Sequence, residues 1–336
     1  MPKKIIIPVT VFLVISFLAI VIRFIFKKPT QEQIFVSPVP QVATSIFRQG
    51  KPAIENIKLW YPDEKKISQL SQTPPIITGE SAFSVDITTQ KVLLEKNSRQ
   101  RRPASSLIKI MTAIIALENA SVDREITVSQ KAATIGEDSM GLTAGERYSL
   151  RELLYGLLLV SGNDAAEAIS EGVAGREDIF VSLMNAKAVS LNLNDTKFVN
   201  PSGLDGDGEH YSTAYDLMIM TQYALRKFPL FREIVATKEY IIPKTENHKQ
   251  IYLGNETNLL RTYPGVMGVK TGYTPASGLC LITLLQNQGK EILAVVLDSA
   301  DRRVDMKKIL DFSRIDPRNV TKSNIPLEQN NQIANY

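Results

Sequence analysis

Hydrophobic and polar positions change period several times along this chain, and the changes mark out its elements. From position 5 to 26 the residues are apolar on every side, interrupted only by Pro8, Thr10, Ser16 and Arg23. At about 1.5 Å per residue the run covers roughly the 30 Å hydrocarbon core of a bilayer, which predicts a single transmembrane helix. It ends in Ile22-Arg-Phe-Ile-Phe-Lys-Lys28 rather than in the small residues of a cleavage site, so the expectation is a retained anchor over 5–26 within a segment 1–28. Lys3 and Lys4 on one side and Arg23, Lys27 and Lys28 on the other leave its direction open by charge alone. From 29 to 75 the periodicity fades and seven prolines, Pro29 to Pro75, punctuate polar sequence, the pattern of a linker. Within it, residues 54–61, with Trp60, are apolar enough either to pack on the folded body as an arm or to remain free.

Beyond residue 76 the pattern becomes regular. Runs over 82–87 and 91–95, separated by Thr88-Thr89-Gln90, predict a β-hairpin. A strongly apolar helix is expected over 105–118, and Ser149 with Glu152 forms a capping box that opens another over 150–160. Further helices are expected over 165–171, 179–190 and 213–226, the last opened by Thr213 with Asp216 three residues on. Strand patterns return over 265–270, 279–286 and 291–298, and a helix over 302–312 closes the series. Strands at both ends with helices between them predict an α+β domain over 76–315, its sheet assembled from N- and C-terminal pieces, followed by a polar tail over 316–336.

Composition narrows the function classes. With 44% hydrophobic and 22% charged residues in 336, the chain is of globular type. Its 39 basic residues are interspersed with 35 acidic ones for a net charge of +4, so no basic block predicts nucleic-acid binding. A lone Cys280 excludes an internal disulfide, and His210 and His248, outside any His-Glu-x-x-His arrangement, predict no metal centre. Asp205-Gly-Asp207-Gly-Glu209 lacks the distal glutamate of a calcium loop and reads as a surface turn. His210 lacks a Gly-x-Ser-x-Gly partner and reads as structural.

Three short motifs carry candidate chemistry. In Pro103-Ala-Ser-Ser106-Leu-Ile-Lys109, a hydroxyl and an amine lie one helical turn apart on the same face. A neutral amine there can take the serine proton as the hydroxyl attacks a carbonyl, provided burial or a second cation depresses its pKa far below about 10.4. Ser161-Gly162-Asn163 sits at a break between two apolar helices, where a turn can point both polar side chains into a cleft. Lys270-Thr271-Gly272, on or just after a strand, offers a cation, a hydroxyl and a position without a side chain where a ligand can approach the backbone. Read singly, each motif is better explained by ordinary structure than by chemistry.

Together and in this order, the three resemble the signature of penicillin-binding proteins and class A β-lactamases. The longer stretches Ala104-Ser-Ser-Leu-Ile-Lys-Ile-Met-Thr-Ala113, Val160-Ser-Gly-Asn-Asp-Ala-Ala166, Asn200-Pro-Ser-Gly-Leu-Asp-Gly206, His210-Tyr-Ser-Thr-Ala214 and Gly268-Val-Lys-Thr-Gly-Tyr-Thr-Pro275 resemble the serine-type D-Ala-D-Ala carboxypeptidases, the low-molecular-mass penicillin-binding proteins. The resemblance implies a β-lactamase/transpeptidase-like domain in which helices pack on a mostly antiparallel sheet. It implies peptidoglycan stem peptides ending in D-Ala-D-Ala as substrates, β-lactams as covalent inhibitors, no cofactor and no metal. Ser106 would be the nucleophile, Lys109 its proton acceptor and Ser161 the relay to the leaving amine. Asn163 would hold the substrate amide, and Lys270 and Thr271 the terminal carboxylate. Gly272 and Tyr273 would border the substrate, with the N–H groups of Ser106 and Tyr273 as the oxyanion hole. A helix-borne arginine also helps to bind carboxylate, and of Arg302 and Arg303 the spacing favours Arg302. The family's extracytoplasmic habit places the N-terminus in the cytoplasm, the domain outside and the lipid bilayer as a partner of the N-terminal helix. Rival expectations are a serine β-lactamase, disfavoured because no Glu-x-x-Leu-Asn segment lies between Ser161 and Lys270, and a non-catalytic wall-binding protein.

Overall fold

The structure, a computed structural model, describes residues 57–63, 74–206 and 208–315. The predicted anchor over 5–26, the tail over 316–336 and the linker apart from 57–63 and 74–75 lie outside the described residues. Among those described, no helix is long and apolar enough to cross a membrane.

The chain opens with β1 (Ser81–Asp86) and β2 (Lys91–Lys96), then a 3₁₀ turn (Ser105–Ile108) that runs into α1 (Lys109–Asn119). A small ribbon of β3 (Glu125–Thr127) and β4 (Arg147–Ser149) encloses α2 (Gln130–Thr134). The helices α3 (Leu150–Leu159), α4 (Asn163–Ala174), α5 (Glu177–Ser190), α6 (Ala214–Lys227) and α7 (Pro229–Ala236) follow. A second ribbon, β5 (Glu239–Ile242) and β6 (Ile251–Gly254), leads through α8 (Leu259–Thr262) to β7 (Val266–Thr274), β8 (Gly278–Asn287) and β9 (Lys290–Ser299), and α9 (Arg302–Arg314) closes the chain.

One five-stranded sheet, in the order β2-β1-β9-β8-β7 and antiparallel throughout, organises the α+β fold. The N-terminal hairpin closes on the C-terminal strand, with Phe83 opposite Val295 and Val85 opposite Leu293, so the sheet is indeed built from both ends of the chain. Strand β9 is apolar on both faces. Leu293, Val295 and Leu297 point into the helical core, whereas Ile292, Ala294 and Val296 meet Met306, Ile309 and Leu310 of α9 on the other side. Helix α1 runs through the larger core, buried continuously from Lys109 to Ala116.

Local signals fare well where they are local. The Ser149–Glu152 capping box is formed, and the Thr213 hydroxyl accepts from the Asp216 N–H at 3.0 Å. The helix expected from 105 begins instead as a 3₁₀ turn, with Ser105 at φ +44°. The strand expected over 265–270 continues to Thr274, because the polar Lys270-Thr-Gly segment keeps its pairing, Gly272 opposite Cys280 and Tyr273 opposite Leu279. Helix α4 is longer than expected at both ends and stops where Gly175 adopts φ +79°. Cys280 is free and buried in β8. Of the two alternatives for the arm, residues 57–63 follow the docked one. The Trp60 N–H donates to Gln222 Oε1 at 3.1 Å, Gln222 Nε2 returns a bond to the Trp60 carbonyl at 3.0 Å, and Ile57 and Leu59 pack on the core.

The start of β1 is fastened to α9 by one carboxylate. Asp305 accepts from the Thr78 N–H (3.1 Å) and hydroxyl (2.6 Å), the Gly79 N–H (2.8 Å) and the Ser299 hydroxyl (2.6 Å). Burial by itself would raise its pKa, but the bonds from Ser299, Thr78 and Gly79 outweigh burial and hold it below the ordinary carboxylate range. The contribution to stability is therefore complete above the unfolded value of about 4 and fades as pH falls through the depressed folded value. Asp305→Ala should lower stability by about 3 kcal/mol at neutral pH, measured by urea unfolding, and the gap to wild type should narrow as pH falls below the unfolded carboxylate value of about 4.

Candidate active site

A single buried amine gathers the first two motifs. Lys109, fully buried at the first turn of α1, has its Nζ 2.8 Å from Ser106 Oγ, 2.7 Å from Asn163 Oδ1 and 2.7 Å from the Ser202 carbonyl oxygen. The two carbonyl oxygens can only accept, so they take two N–H bonds. A neutral amine then has its lone pair left for the third partner, and Ser106 can donate its O–H to it. Neutrality is what the surroundings favour. Burial strips the ammonium of water, Lys270 repels it, and together they depress Lys109 well below the lysine range despite opposing fields from Asp138, Glu256 and Asp164. Among the described residues no ion pair to Lys109 is formed.

Each partner is set by a specific local device. The 3₁₀ turn carries Ser106, and Asn163 is the first residue of α4, its Nδ2 tied to the Gly136 carbonyl at 3.2 Å. The Ser202 carbonyl is presented by a turn in which Asn200 Oδ1 accepts the N–H groups of Ser202 (3.2 Å) and Gly203 (2.7 Å). Thr112 Oγ1 anchors the same turn by donating to the Pro201 carbonyl at 2.6 Å. Gly203 has φ +85°, and a Cβ there would lie 2.2 Å from the Ser105 carbonyl oxygen. Ser161, in a left-handed conformation at φ +61°, holds its Oγ buried and without a hydrogen-bond partner among the described residues.

The third motif lies within β7. Lys270 is 1% exposed, donates to the Thr271 carbonyl at 3.0 Å, and has its pKa lowered to about 8 by burial, with Arg302 adding to the effect and Glu256 and Asp138 opposing it. Thr271 Oγ1 donates to Glu256 Oε2 at 3.1 Å. Arg302, in the first turn of α9, donates to the Gly272 carbonyl at 2.8 Å. The space beside Gly272 is filled by protein: a Cβ would stand 2.3 Å from Ser105 Oγ and 3.3 Å from Leu107 Cγ. Glycine is thus required here by the packing of β7 against the turn that carries Ser106.

A cavity of about 420 Å³ joins these parts. Of the expected residues it is lined by Ser106, Ser161, Thr271, Gly272, Tyr273 and Arg302, while Lys109, Asn163 and Lys270 lie buried outside its lining. Arg303 borders a smaller neighbouring cavity of about 210 Å³. A larger hollow of about 570 Å³, between Arg101–Pro103 and Asp205, Gly206, Gly208 and Glu209, contains none of the expected site residues, although the buried His210 borders it. Sequence reasoning missed Glu137, Asp138 and Glu256, which also line the central cavity. It also missed Asp164, whose carboxylate receives the Ser139 hydroxyl at 2.5 Å and the N–H groups of Met140, Gly141 and Leu142, fixing the loop that carries Glu137 and Asp138. Only Asp164 had a signal, as part of a stretch that resembles the family.

A hydroxyl held against a buried amine beside a strand lysine is chemically able to carry acyl transfer, and comparison with known proteins gives the family. Residues 68–301 match the D-alanyl-D-alanine carboxypeptidase family, peptidase S11, and the chain belongs to it. The chain is 35% identical over 259 residues to D-alanyl-D-alanine carboxypeptidase DacF of Bacillus subtilis, covering 75% of this chain and 64% of that protein, a little under two thirds of its length. It is 33% identical to the D-alanyl-D-alanine carboxypeptidase of Streptomyces sp. strain K15, covering 71% of this chain and 88% of that one. The crystal structure of a Streptomyces K15 DD-transpeptidase superposes with a TM-score of 0.68 at 30% identity, over 72% of this chain and 99% of that one. A D-alanyl-D-alanine carboxypeptidase from Mycobacterium tuberculosis superposes with 0.69 at 28% identity, over 74% of this chain and 96% of that one. The fold is therefore the penicillin-binding, transpeptidase-like α+β fold.

Gly272→Ala should displace the Ser105–Ser106 turn and slow covalent labelling by fluorescent penicillin by about a hundredfold, the scale of a misplacement near 1 Å at a reacting group. A labelling rate within threefold of wild type would show that the turn tolerates the added methyl group.

Proposed function

We propose that this chain removes the terminal D-alanine from peptidoglycan stem peptides ending in D-Ala-D-Ala, through an acyl-enzyme on Ser106. The observation that carries the reading is the Lys109 amine, buried between two carbonyl oxygens with only the Ser106 hydroxyl left to donate to it. Ser106 Oγ attacks the carbonyl of the penultimate D-alanine and its proton passes to Lys109. The oxyanion receives the N–H groups of Ser106 and Tyr273. Ser161, whose hydroxyl has no partner among the described residues, passes a proton to the leaving amine of the terminal residue. Lys270, Thr271 and Arg302 hold the terminal carboxylate. Asn163 holds the substrate amide and also orients Lys109, and Gly272 and Tyr273 border the peptide. Water then cleaves the ester and regenerates the serine.

The rest of the reading follows from sequence. Residues 5–26 anchor the chain in the lipid bilayer with the N-terminus cytoplasmic, 29–75 form the linker, 76–315 the extracytoplasmic catalytic domain and 316–336 a polar tail. β-Lactams acylate Ser106, and without a Glu-x-x-Leu-Asn segment the penicilloyl ester persists.

Ser106→Ala in the full-length protein should abolish both D-alanine release from a pentapeptide and covalent penicillin labelling; labelling at the wild-type rate would move the nucleophile elsewhere. The pH profile tests the two amines. Binding of a carboxylate needs Lys270 charged, so kcat/KM for the pentapeptide should decline above about pH 8 as that charge is lost. On the acid side it should fall as Lys109 becomes protonated and can no longer accept the serine proton. A profile still rising at pH 10 would remove Lys270 from carboxylate binding.

A further inference from the structure

The hydroxyl assigned to the substrate is already engaged. Thr271 Oγ1 has one proton, and it is donated to Glu256 Oε2 at 3.1 Å. Glu256 is exposed to the cavity, yet the backbone on either side of it is rigidly held. Its own N–H donates to the Leu159 carbonyl at 3.1 Å. The preceding Asn255, 4% exposed, donates through Nδ2 to the carbonyls of Val235 and Thr237 and accepts the Thr257 N–H at 2.8 Å. The carboxylate is therefore delivered to Thr271 by a fixed segment rather than by a wandering surface side chain. It also stands at the junction of the central cavity and its smaller neighbour, both of which Thr271 and Arg302 line as well. Its charge acts favourably on Lys270 and on Arg302, the other two groups of the same subsite.

A carboxylate bonded to the threonine hydroxyl in the field of that lysine and that arginine occupies the position of a ligand's terminal carboxylate. We infer that Glu256 is a specificity-determining residue, an internal occupant of the terminal-carboxylate subsite that a D-Ala-D-Ala terminus must displace from Thr271 in order to bind. The inference rests on the assignment of Thr271, Lys270 and Arg302 to the substrate carboxylate. Two carboxylates facing one hydroxyl repel, and only one can take its proton. Glu256 thereby lowers the affinity for every ligand that ends in a carboxylate, while a ligand whose end is uncharged meets no such repulsion.

The test uses the full-length protein with Glu256→Gln, which removes the charge and keeps an acceptor for Thr271, and Glu256→Ala, which removes both. The probes are an N-acylated peptide ending in D-Ala-D-Ala, assayed for D-alanine release, and the same peptide with a C-terminal carboxamide, assayed as a competitor. Measured on the acid side of the pH profile, where Lys270 keeps its charge in wild type and variants alike, KM for the free acid should fall roughly three- to tenfold in Glu256→Gln and further in Glu256→Ala, the range expected of one partly exposed charge, while the inhibition constant of the carboxamide should change less than twofold. An unchanged or raised KM for the acid, or an equal gain for acid and amide, would overturn the inference while D-alanine release by wild type leaves the proposed function standing. No D-alanine release by wild type would overturn both.

Discussion

A lysine amine sealed from water is the constraint on which the rest of the site depends. An isolated buried ammonium loses several kcal/mol of solvation, and a second buried lysine nearby adds repulsion. The neutral form avoids both costs. Lys109 is placed among groups that serve the neutral amine well, two carbonyl oxygens for its two N–H bonds and one hydroxyl for its lone pair. The hydroxyl that completes this arrangement is Ser106, so satisfying the amine and activating the serine are one act. The 3₁₀ turn, the first residue of α4 and the Asn200–Gly203 turn belong to remote parts of the chain, and their common purpose in the fold is to bring two acceptors and one hydroxyl donor to one nitrogen.

Sheet topology supplies the other half. Ser106 follows the N-terminal hairpin by a few residues, whereas Lys270, Thr271 and Arg302 come from the last strands and the last helix. They meet because β1 pairs with β9 in the middle of the sheet, and because β7 packs Gly272, where it has no side chain, against Ser105. Asp305 bolts the beginning of β1 to α9, the helix that carries Arg302. Closing the chain's two ends and bringing Lys270, Thr271 and Arg302 beside Ser106 are thus a single structural event. Stability of that seam and integrity of the site are coupled, and the buried packing of β9 on both faces is what stabilises the seam.

What could be read in the sequence was what is decided within one or two helical turns. The capping box at Ser149 and the threonine cap at 213 are written in four consecutive residues, and both formed. The β7 strand was cut short in the sequence reading because Lys270-Thr-Gly looks polar and turn-like; only pairing to β8, a partner that periodicity does not reveal, keeps it extended. The two ribbons, β3 with β4 and β5 with β6, are three or four residues per strand, too short for alternation to register. In the site, the side chains of the three motifs were legible from their order and their likeness to a family. The Ser202 carbonyl was not, since a backbone oxygen has no letter of its own. Nor was Glu256, an acid among many whose meaning comes from contact with Thr271 across fifteen positions.

The cations at this cavity are not interchangeable. Arg302 is depressed by its own burial, but a guanidinium starts so high that it remains charged under all ordinary conditions. Lys270, brought to about 8, is close to losing its proton, and its fields are shared with Lys109 on one side and Glu256 on the other. Without a neighbouring anion the buried Lys270 would be pushed lower still and would spend more of its time uncharged. Glu256 and Asp138 counter this, so the acid that competes with the ligand for Thr271 also helps to keep the ligand's cation charged. On the proposed assignment, a substrate carboxylate replaces Glu256 in both respects, at the hydroxyl and in the field at Lys270. On the same assignment, once a released D-alanine carries that carboxylate away, Glu256 is within reach to take the hydroxyl back. On that reading a subsite with its own counter-ion keeps an anion in the field of the buried lysine with or without a ligand, and turnover becomes an exchange of one carboxylate for another.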